Sequence, residues 1–225
     1  MTASPHTLTT DERLALVRRN VESIVRCNDT ADAWRVLPLV PSSFRMLADD
    51  LPLRIDGELT PYVRISLVWQ MLMFDRLSMP RLALSMMHYL TSMVDLIDPH
   101  ADLTTDMAND GYDGPPEQFR RCLWPVFDKI RAEERRLLDF INPDVPVATW
   151  CRRYGCPYLF HPAERTFEWE IHIAEVRQLT DEALADLPPE KRCGRPYWTK
   201  QAEVLRRFGI EWKSVAEMNP HLNLG

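Results

Sequence analysis

Glycine is scarce in this sequence, which has 7 glycines among its 225 residues. Average usage of about 7% would give roughly 16. Loops that cradle phosphate groups need several glycines at fixed spacing, because the backbone must approach the phosphate closely. The scarcity argues against a nucleotide-binding fold.

Catalytic motifs are missing as well. The chain has no Gly-x-Ser-x-Gly nucleophile elbow, no His-Glu-x-x-His metal motif and no phosphate-binding loop. Catalytic groups can still converge from distant positions, so a missing motif weakens an enzyme hypothesis without removing it. We expect a non-enzymatic protein and leave enzyme activity open.

Long hydrophobic runs and a secretory leader are not found either. The longest apolar stretch, residues 65–74, contains Gln70 and is half as long as the roughly 20 apolar residues of a membrane span. Near the start, His6, Asp11 and Glu12 precede any apolar run, unlike the basic-then-apolar order of a signal peptide. The five cysteines form an odd, scattered set, which suits reduced thiols. We expect a cytoplasmic protein with no membrane segment.

Lysine is rare, because only four of the 27 basic residues are lysines and the others are arginines. We interpret this skew as the mark of a GC-rich genome. A motif-poor chain of this composition is compatible with a phage or mobile-element protein.

Lysine and arginine are absent between Arg81 and Arg120, although this stretch contains seven acidic residues. The whole chain has a formal net charge of -6. Uncompensated acids attract cations or a basic protein surface over about 8 Å at physiological salt, and they repel nucleic acid. We predict that the acidic segment, residues 95–117, is a loop that contacts a protein partner with a basic surface. The residues assigned to this contact are Asp102, Asp106, Asp110, Asp113 and Glu117.

The acidic segment also matches half of a calcium-binding loop. Asp106, Asp110, Gly111 and Glu117 have the spacing of four of its template positions. Ala108 occupies a position that should supply a ligand, and two prolines before Glu117 would obstruct the helix that follows. A solvated acidic loop is the alternative interpretation.

Eighteen prolines fall largely between apolar-periodic segments, a pattern that predicts helices punctuated by proline. Thr9 followed by Glu12 forms a capping box, so the first helix should begin there. Further helices are expected at about 30–37, 43–50, 61–77, 80–97 and 125–141. The pair at 61–77 and 80–97 is rich in methionine, which indicates either core packing or an adaptable binding groove.

The composition changes after residue 142. A short helix ending at Gly155 is followed by alternating apolar and polar residues over 167–173, which predicts a strand paired with residues 158–160 as a small β-hairpin. Pro162 would also start a helix, so a helix at 167–173 stays open. We expect a mainly α chain with a bundle-like helical body over residues 1–142. Residues 143–225 form a C-terminal region with the hairpin and a terminal pair of helices.

Four residues of the C-terminal region are candidate zinc ligands, namely Cys151, Cys156, His161 and His172, and Cys193 follows them. Their spacing lacks the two close cysteine pairs of a zinc ribbon or knuckle. Buried thiols and exposed histidines are the ordinary alternative, and neither zinc nor calcium is expected as a cofactor.

The terminal pair resembles a helix-turn-helix unit, with Gly209 in the turn and residues 211–217 as the second helix. That helix carries two acids and one lysine, which suits a DNA groove poorly. A basic and aromatic mixture precedes it, and such mixtures contact phosphates and stack on bases. The residues assigned to nucleic acid are Arg195, Trp198, Lys200, Arg206 and Arg207.

The sequence leaves three functional hypotheses. The first is a non-enzymatic cytoplasmic adaptor, assembly or inhibitory protein that uses the acidic segment and the helical hairpin. The second is a nucleic-acid-binding protein that uses the C-terminal residues, and the third is a metal-dependent enzyme or zinc-stabilised module. The sequence does not indicate an oligomeric state.

Overall fold

A computed structural model describes residues 8–27, 33–53, 55, 59–94, 96, 116–188 and 192–222, with the side chains of 33–34, 94 and 116–127 excepted. This part of the chain is mainly helical, as predicted. Its α-helices are α1 (Thr10–Cys27), α2 (Leu39–Arg45), α3 (Pro61–Met71), α4 (Pro80–Val94), α5 (Pro116–Ile141), α6 (Val147–Tyr154), α7 (Phe167–Ala183), α8 (Gly194–Arg207) and α9 (Val215–Met218). Ala33–Val36 and Pro162–Arg165 form 3₁₀ turns, and a π-helical turn, Met46–Asp50, continues α2.

Capping residues set the starts of α1 and α3 where the sequence indicated them. The Thr9 hydroxyl accepts a hydrogen bond from the Glu12 amide at 3.3 Å, and the Glu12 carboxylate accepts one from the Thr9 amide at 2.8 Å. The capping box before α1 is therefore confirmed. Thr60 caps α3 in the same way, since its hydroxyl accepts from the Val63 amide at 3.2 Å.

The helix ends differ from the prediction by several residues. Helix α3 ends at Met71 and α4 at Val94, both earlier than predicted. Helix α2 begins at Leu39, ahead of the predicted serine caps, and α5 begins at Pro116. End positions depend on local capping and packing more than on hydrophobic period.

The predicted strand at 167–173 is wrong, because these residues begin α7. The Thr166 hydroxyl accepts from the Trp169 amide at 3.2 Å, which caps the helix. Trp169, Ile173 and Val176 are buried along one face of α7, whereas Phe167 and Ile171 are more than half exposed. The apparent alternation came from apolar residues on two different faces of a helix. Among the described residues the only β pairing is an isolated antiparallel bridge between Ile55 and Leu59, so a hairpin with 158–160 is not formed.

The chain forms two compact units, each described by itself. The first unit comprises residues 1–74 and 85–130, and the second comprises residues 75–84 and 131–225. The second unit thus includes residues on the N-terminal side of the boundary expected at residue 142.

A buried arginine organises the first unit. Arg64 on α3 is 1% exposed. Its guanidinium donates to the Leu53 carbonyl at 2.8 Å, the Leu51 carbonyl at 3.2 Å and the Tyr89 hydroxyl at 2.6 Å. It also donates to the carbonyls of Leu47 and Pro52. These bonds satisfy backbone oxygens of the turn between α2 and α3 that would otherwise be buried without a donor.

The second unit has an equivalent arginine, Arg165, which is 8% exposed. Its guanidinium donates to the Val145 carbonyl at 2.8 Å and the Asp139 carbonyl at 3.2 Å, and also to the carbonyls of Phe140 and Asn142. These oxygens lie in the last turn of α5 and in the residues just after it, so Arg165 caps that helix end.

The methionines of the predicted hairpin belong mainly to the core. Those that are buried are Met71, Met79, Met86, Met87 and Met93. Met73 is 40% exposed. The core-packing interpretation is therefore confirmed for the five buried methionines.

Candidate nucleic-acid interface

Helix α8 ends in a turn that reverses the chain. Gly209 has φ 73°, in the left-handed region, and its amide donates to the Arg206 carbonyl at 3.1 Å. The Ile210 amide donates to the Leu205 carbonyl at 3.1 Å, and both of these side chains are buried. This Schellman motif directs the residues after Ile210 back along α8.

One face of α8 combines positive charge and an aromatic ring. Arg195, Trp198, Ala202 and Arg206 follow one another at intervals of three or four residues, so they share a face of the helix. Both arginines are exposed, and Trp198 is partly exposed.

Trp212 lies in the segment that follows the turn at Gly209, and two contacts hold it in place. Its indole Nε1 donates to Glu164 Oε1 at 2.8 Å. Its ring lies against the buried ring of Trp169 on α7, with centroids 6.0 Å apart. The same Glu164 oxygen accepts from the His161 amide at 3.2 Å. Two independent contacts fix the orientation of the Trp212 ring.

The rest of the segment after Gly209 is held by hydrogen bonds. Ser214 and Glu217 form a capping box for α9, in which the Ser214 amide donates to the Glu217 carboxylate at 2.8 Å. That bond lowers the pKa of Glu217. Asn219 is 2% exposed, and its side chain accepts from the Leu159 amide at 2.8 Å and donates to the Leu159 carbonyl at 2.7 Å. The segment after Gly209 is thus anchored at both ends.

Helix α8 and the segment after Gly209 form the two walls of a cleft of about 440 Å³, which we call the basic aromatic cleft. Its lining residues are Arg195, Trp198, Thr199, Ala202, Arg206, Trp212, Ser214, Ala216 and Glu217. Arginine guanidiniums bind phosphate or carboxylate oxygens in a bidentate way, and tryptophan faces stack on flat rings. The arrangement can therefore bind a ligand that combines negative charge with a flat ring.

The sequence-based nucleic-acid residues separate into two groups. Arg195, Trp198 and Arg206 line the cleft. Lys200 instead pairs with Glu203 on α8, and Arg207 is exposed but does not line the cleft. The predicted recognition helix is shorter than expected, because residues 211–214 are not helical and α9 spans Val215–Met218.

Trp212 was missed by the sequence reasoning. Its signal was available in the glycine turn three residues earlier, because a chain that reverses after a helix brings the following residues back against it.

The residues of the zinc hypothesis have other partners. Cys151 and Cys156 both donate to the Tyr158 carbonyl, at 3.3 and 3.1 Å. His161 Nδ1 accepts from the Ala163 amide at 3.3 Å, and the His172 ring packs on Phe208 with centroids 4.6 Å apart. No group of three or more histidine, cysteine, aspartate or glutamate side chains that could hold a metal ion occurs in the part of the chain that the structure describes.

The residues of the acidic-segment hypothesis lie outside what the structure describes. Asp102, Asp106, Asp110 and Asp113 are not among the described residues. Glu117 is described for its backbone, in the first turn of α5, and not for its side chain. Partner contact and calcium binding by this segment stay predictions.

The described helices include none that is both long enough and apolar enough to cross a membrane. Comparison of the chain with protein-family models, with curated proteins and with solved structures gives no match. The fold and the site define a mainly helical protein with a basic aromatic cleft.

Proposed function

We propose that this protein is a non-enzymatic, cytoplasmic binding protein that contacts single-stranded nucleic acid through the basic aromatic cleft. The observation that carries the proposal is the convergence of Arg195 and Arg206 with the rings of Trp198 and Trp212 in one cleft. Stacking of a base on an aromatic side chain contributes about 1–3 kcal/mol, and arginines neutralise the adjoining phosphates.

The charge near the cleft supports this ligand over a positively charged one. Residues 192–217 contain six basic and three acidic residues, whereas the whole chain has a net charge of -6. Glu203 pairs with Lys200, so these two charges offset each other, and Glu217 stays ionised while its carboxylate accepts from the Ser214 amide. The basic excess of this segment favours a polyanion.

A single strand fits the cleft better than a duplex does. Helix α9 has four residues and its preceding segment is not helical, so the turn after α8 does not present a recognition helix of the usual length. Stacking on the partly exposed rings of Trp198 and Trp212 needs unpaired bases, because the faces of paired bases are covered by their neighbours in the stack.

Fluorescence anisotropy with a labelled single-stranded oligonucleotide tests the proposal. We expect the Arg195→Ala/Arg206→Ala double variant to weaken binding at least about tenfold and to reduce the slope of log K against log salt by about 1.4, since each phosphate contact contributes about 0.7. Trp198→Ala should weaken binding by about 1–3 kcal/mol.

The matched control is Arg131→Ala/Arg152→Ala, which removes the same charge from two exposed arginines outside the cleft lining. This control should change affinity much less than the cleft variant. Equal losses in both would show that binding follows net charge, and no binding by the wild-type chain would exclude the proposal.

The acidic segment supports a second candidate function, that of an adaptor, assembly or inhibitory protein. This candidate rests on the run of seven acids with no lysine or arginine between Arg81 and Arg120. The five assigned acids, Asp102, Asp106, Asp110, Asp113 and Glu117, would contact a basic protein surface.

A low-salt pull-down from native cytoplasm, with and without nuclease, separates the two candidates. Replacement of the five acids by their amides should abolish recovery of a nuclease-resistant protein partner. Recovery unchanged by the replacement would contradict the adaptor candidate, and nuclease-sensitive recovery of DNA or RNA would favour the cleft.

A further inference from the structure

Two cysteines meet at the end of α6. Gly155 has φ 68°, and its amide donates to the Cys151 carbonyl. The Cys156 amide donates to the same carbonyl at 2.9 Å. In this type of helix end, the residue after the glycine packs against the residue four positions before the glycine. Those two positions are Cys156 and Cys151.

The two thiols converge on one oxygen. Both sulfur atoms donate to the Tyr158 carbonyl, Cys151 at 3.3 Å and Cys156 at 3.1 Å. Cys151 is 5% exposed and belongs to the core cluster of Phe140, Trp150 and Phe160, whereas Cys156 is partly exposed. One thiol is therefore partly accessible, and the other is buried.

Burial also protects the Cys151 thiol from reaction. It raises the pKa of Cys151 to about 11, and the neighbouring Cys156 acts in the same direction. Thiolates are the species that attack disulfides, and the attack also needs access to the sulfur atom. Cys156 is the more accessible of the two thiols, so it reacts first.

We propose that Cys151 and Cys156 form a redox modification site, in which a small disulfide such as oxidised glutathione converts the two thiols into an intramolecular disulfide. The Cys156 thiolate attacks one sulfur of oxidised glutathione, and the glutathione S–S bond breaks to release one glutathione thiolate. Cys151 then loses its proton and attacks the Cys156 sulfur of the mixed disulfide. The Cys151–Cys156 bond forms as the second glutathione thiolate leaves, so two thiols are oxidised and one disulfide is reduced.

The fold favours this bond because the turn at Gly155 already holds the two residues together. Reversal of the same exchange by reduced glutathione restores both thiols. Neither cysteine lines the basic aromatic cleft, and the test does not depend on any ligand of the cleft.

The experiment uses the full chain with Cys27, Cys122 and Cys193 replaced by serine, equilibrated in glutathione redox buffers, quenched with acid and mapped by mass spectrometry. We expect a Cys151–Cys156 disulfide whose equilibrium constant is roughly tenfold or more larger in the folded chain than in urea, or about 30 mV for this two-electron couple. An equal or smaller constant in the folded chain would overturn the proposal.

Two single variants in the same background test the order of attack. Cys151→Ser should accumulate a stable mixed disulfide with glutathione at Cys156, because no second thiol can displace it. Cys156→Ser should react much more slowly, since the remaining thiol is buried. A faster reaction of Cys156→Ser than of Cys151→Ser would contradict the assigned order. Circular dichroism of each variant verifies that the fold is retained.

Discussion

At the scale of single residues, Arg64 carries a guanidinium into the first unit and places it among neutral oxygens. We predict that Arg64→Met lowers the free energy of unfolding by about 3 kcal/mol or more, because several buried carbonyls would lose their donor. Tyr89→Phe removes one acceptor and should cost about 1 kcal/mol. Urea denaturation measures both changes, and equal costs in the two variants would contradict the role of Arg64 as an organising residue.

The position of Arg64 was open to prediction from the sequence, and its partners were not. An arginine within the mainly apolar residues 62–69 is a signal of a buried charge with dedicated acceptors. The acceptors are mostly backbone oxygens of residues 47–53, and any side chain can stand at such positions. The residue types in a sequence do not reveal which backbone oxygens will accept hydrogen bonds.

The carboxyl of Glu164 should make the stability of the protein depend on pH. Burial raises the pKa of this carboxyl above its ordinary value of 4.5, although the Trp212 hydrogen bond opposes the shift. The folded state therefore binds this proton more tightly than the unfolded state does. The protonated carboxyl contributes stability fully below pH 4.5, and this contribution is lost as pH rises from 4.5 through the raised pKa of the folded state. Glu164→Gln keeps an oxygen for Trp212 and does not ionise, so its stability relative to wild type should increase with pH.

Urea denaturation at about pH 4 and about pH 7 measures this difference. Glu168→Gln is the control, because it neutralises an exposed carboxyl on α7. A pH-independent difference between Glu164→Gln and wild type would contradict the prediction.

At the scale of elements, two helices end in the same way, α6 at Gly155 and α8 at Gly209. A Cβ atom added to either glycine would meet nothing within 4 Å, so backbone strain is the main cost of a substitution. We predict that Gly209→Ala and Gly155→Ala each destabilise the protein by about 1–2 kcal/mol, the cost of a left-handed conformation for a residue with a side chain.

The two glycine variants differ in what they do to the cleft. The turn at Gly209 precedes Trp212 in the cleft wall, whereas Gly155 ends α6 and does not line the cleft. Gly209→Ala should therefore weaken oligonucleotide binding, and Gly155→Ala should leave it unchanged at a temperature where both are folded. Equal affinities of the two variants would contradict the role given to the turn.

Helix α7 shows why local pattern reasoning succeeded for some elements and failed for this one. The capping box at Thr9 and the proline at the start of α3 are local signals, and both were read correctly. In α7, Phe167 and Ile171 are apolar yet exposed, so the sequence pattern follows a strand while the buried face follows a helix. Packing of Trp169 and Ile173 decides between them, and packing is not local information.

At the scale of the whole molecule, a net charge of -6 opposes the approach of a polyanion to a basic cleft. Replacement of Asp102, Asp106, Asp110, Asp113 and Glu117 by their amides removes five negative charges while leaving the cleft sequence intact. If both proposed contacts exist, this variant should lose the protein partner and bind the oligonucleotide more tightly, chiefly through faster association.

Stopped-flow association with the labelled oligonucleotide measures the change. The gain in association rate should shrink as salt is raised, because the Debye length falls from about 10 Å at 0.1 M to about 3 Å at 1 M. A gain that does not depend on salt would contradict a long-range electrostatic cause and would indicate that the replacements alter the cleft itself. An unchanged association rate at low salt would mean that the acidic segment and the net charge have no influence on nucleic acid, which would leave partner recognition as the segment's remaining proposed role.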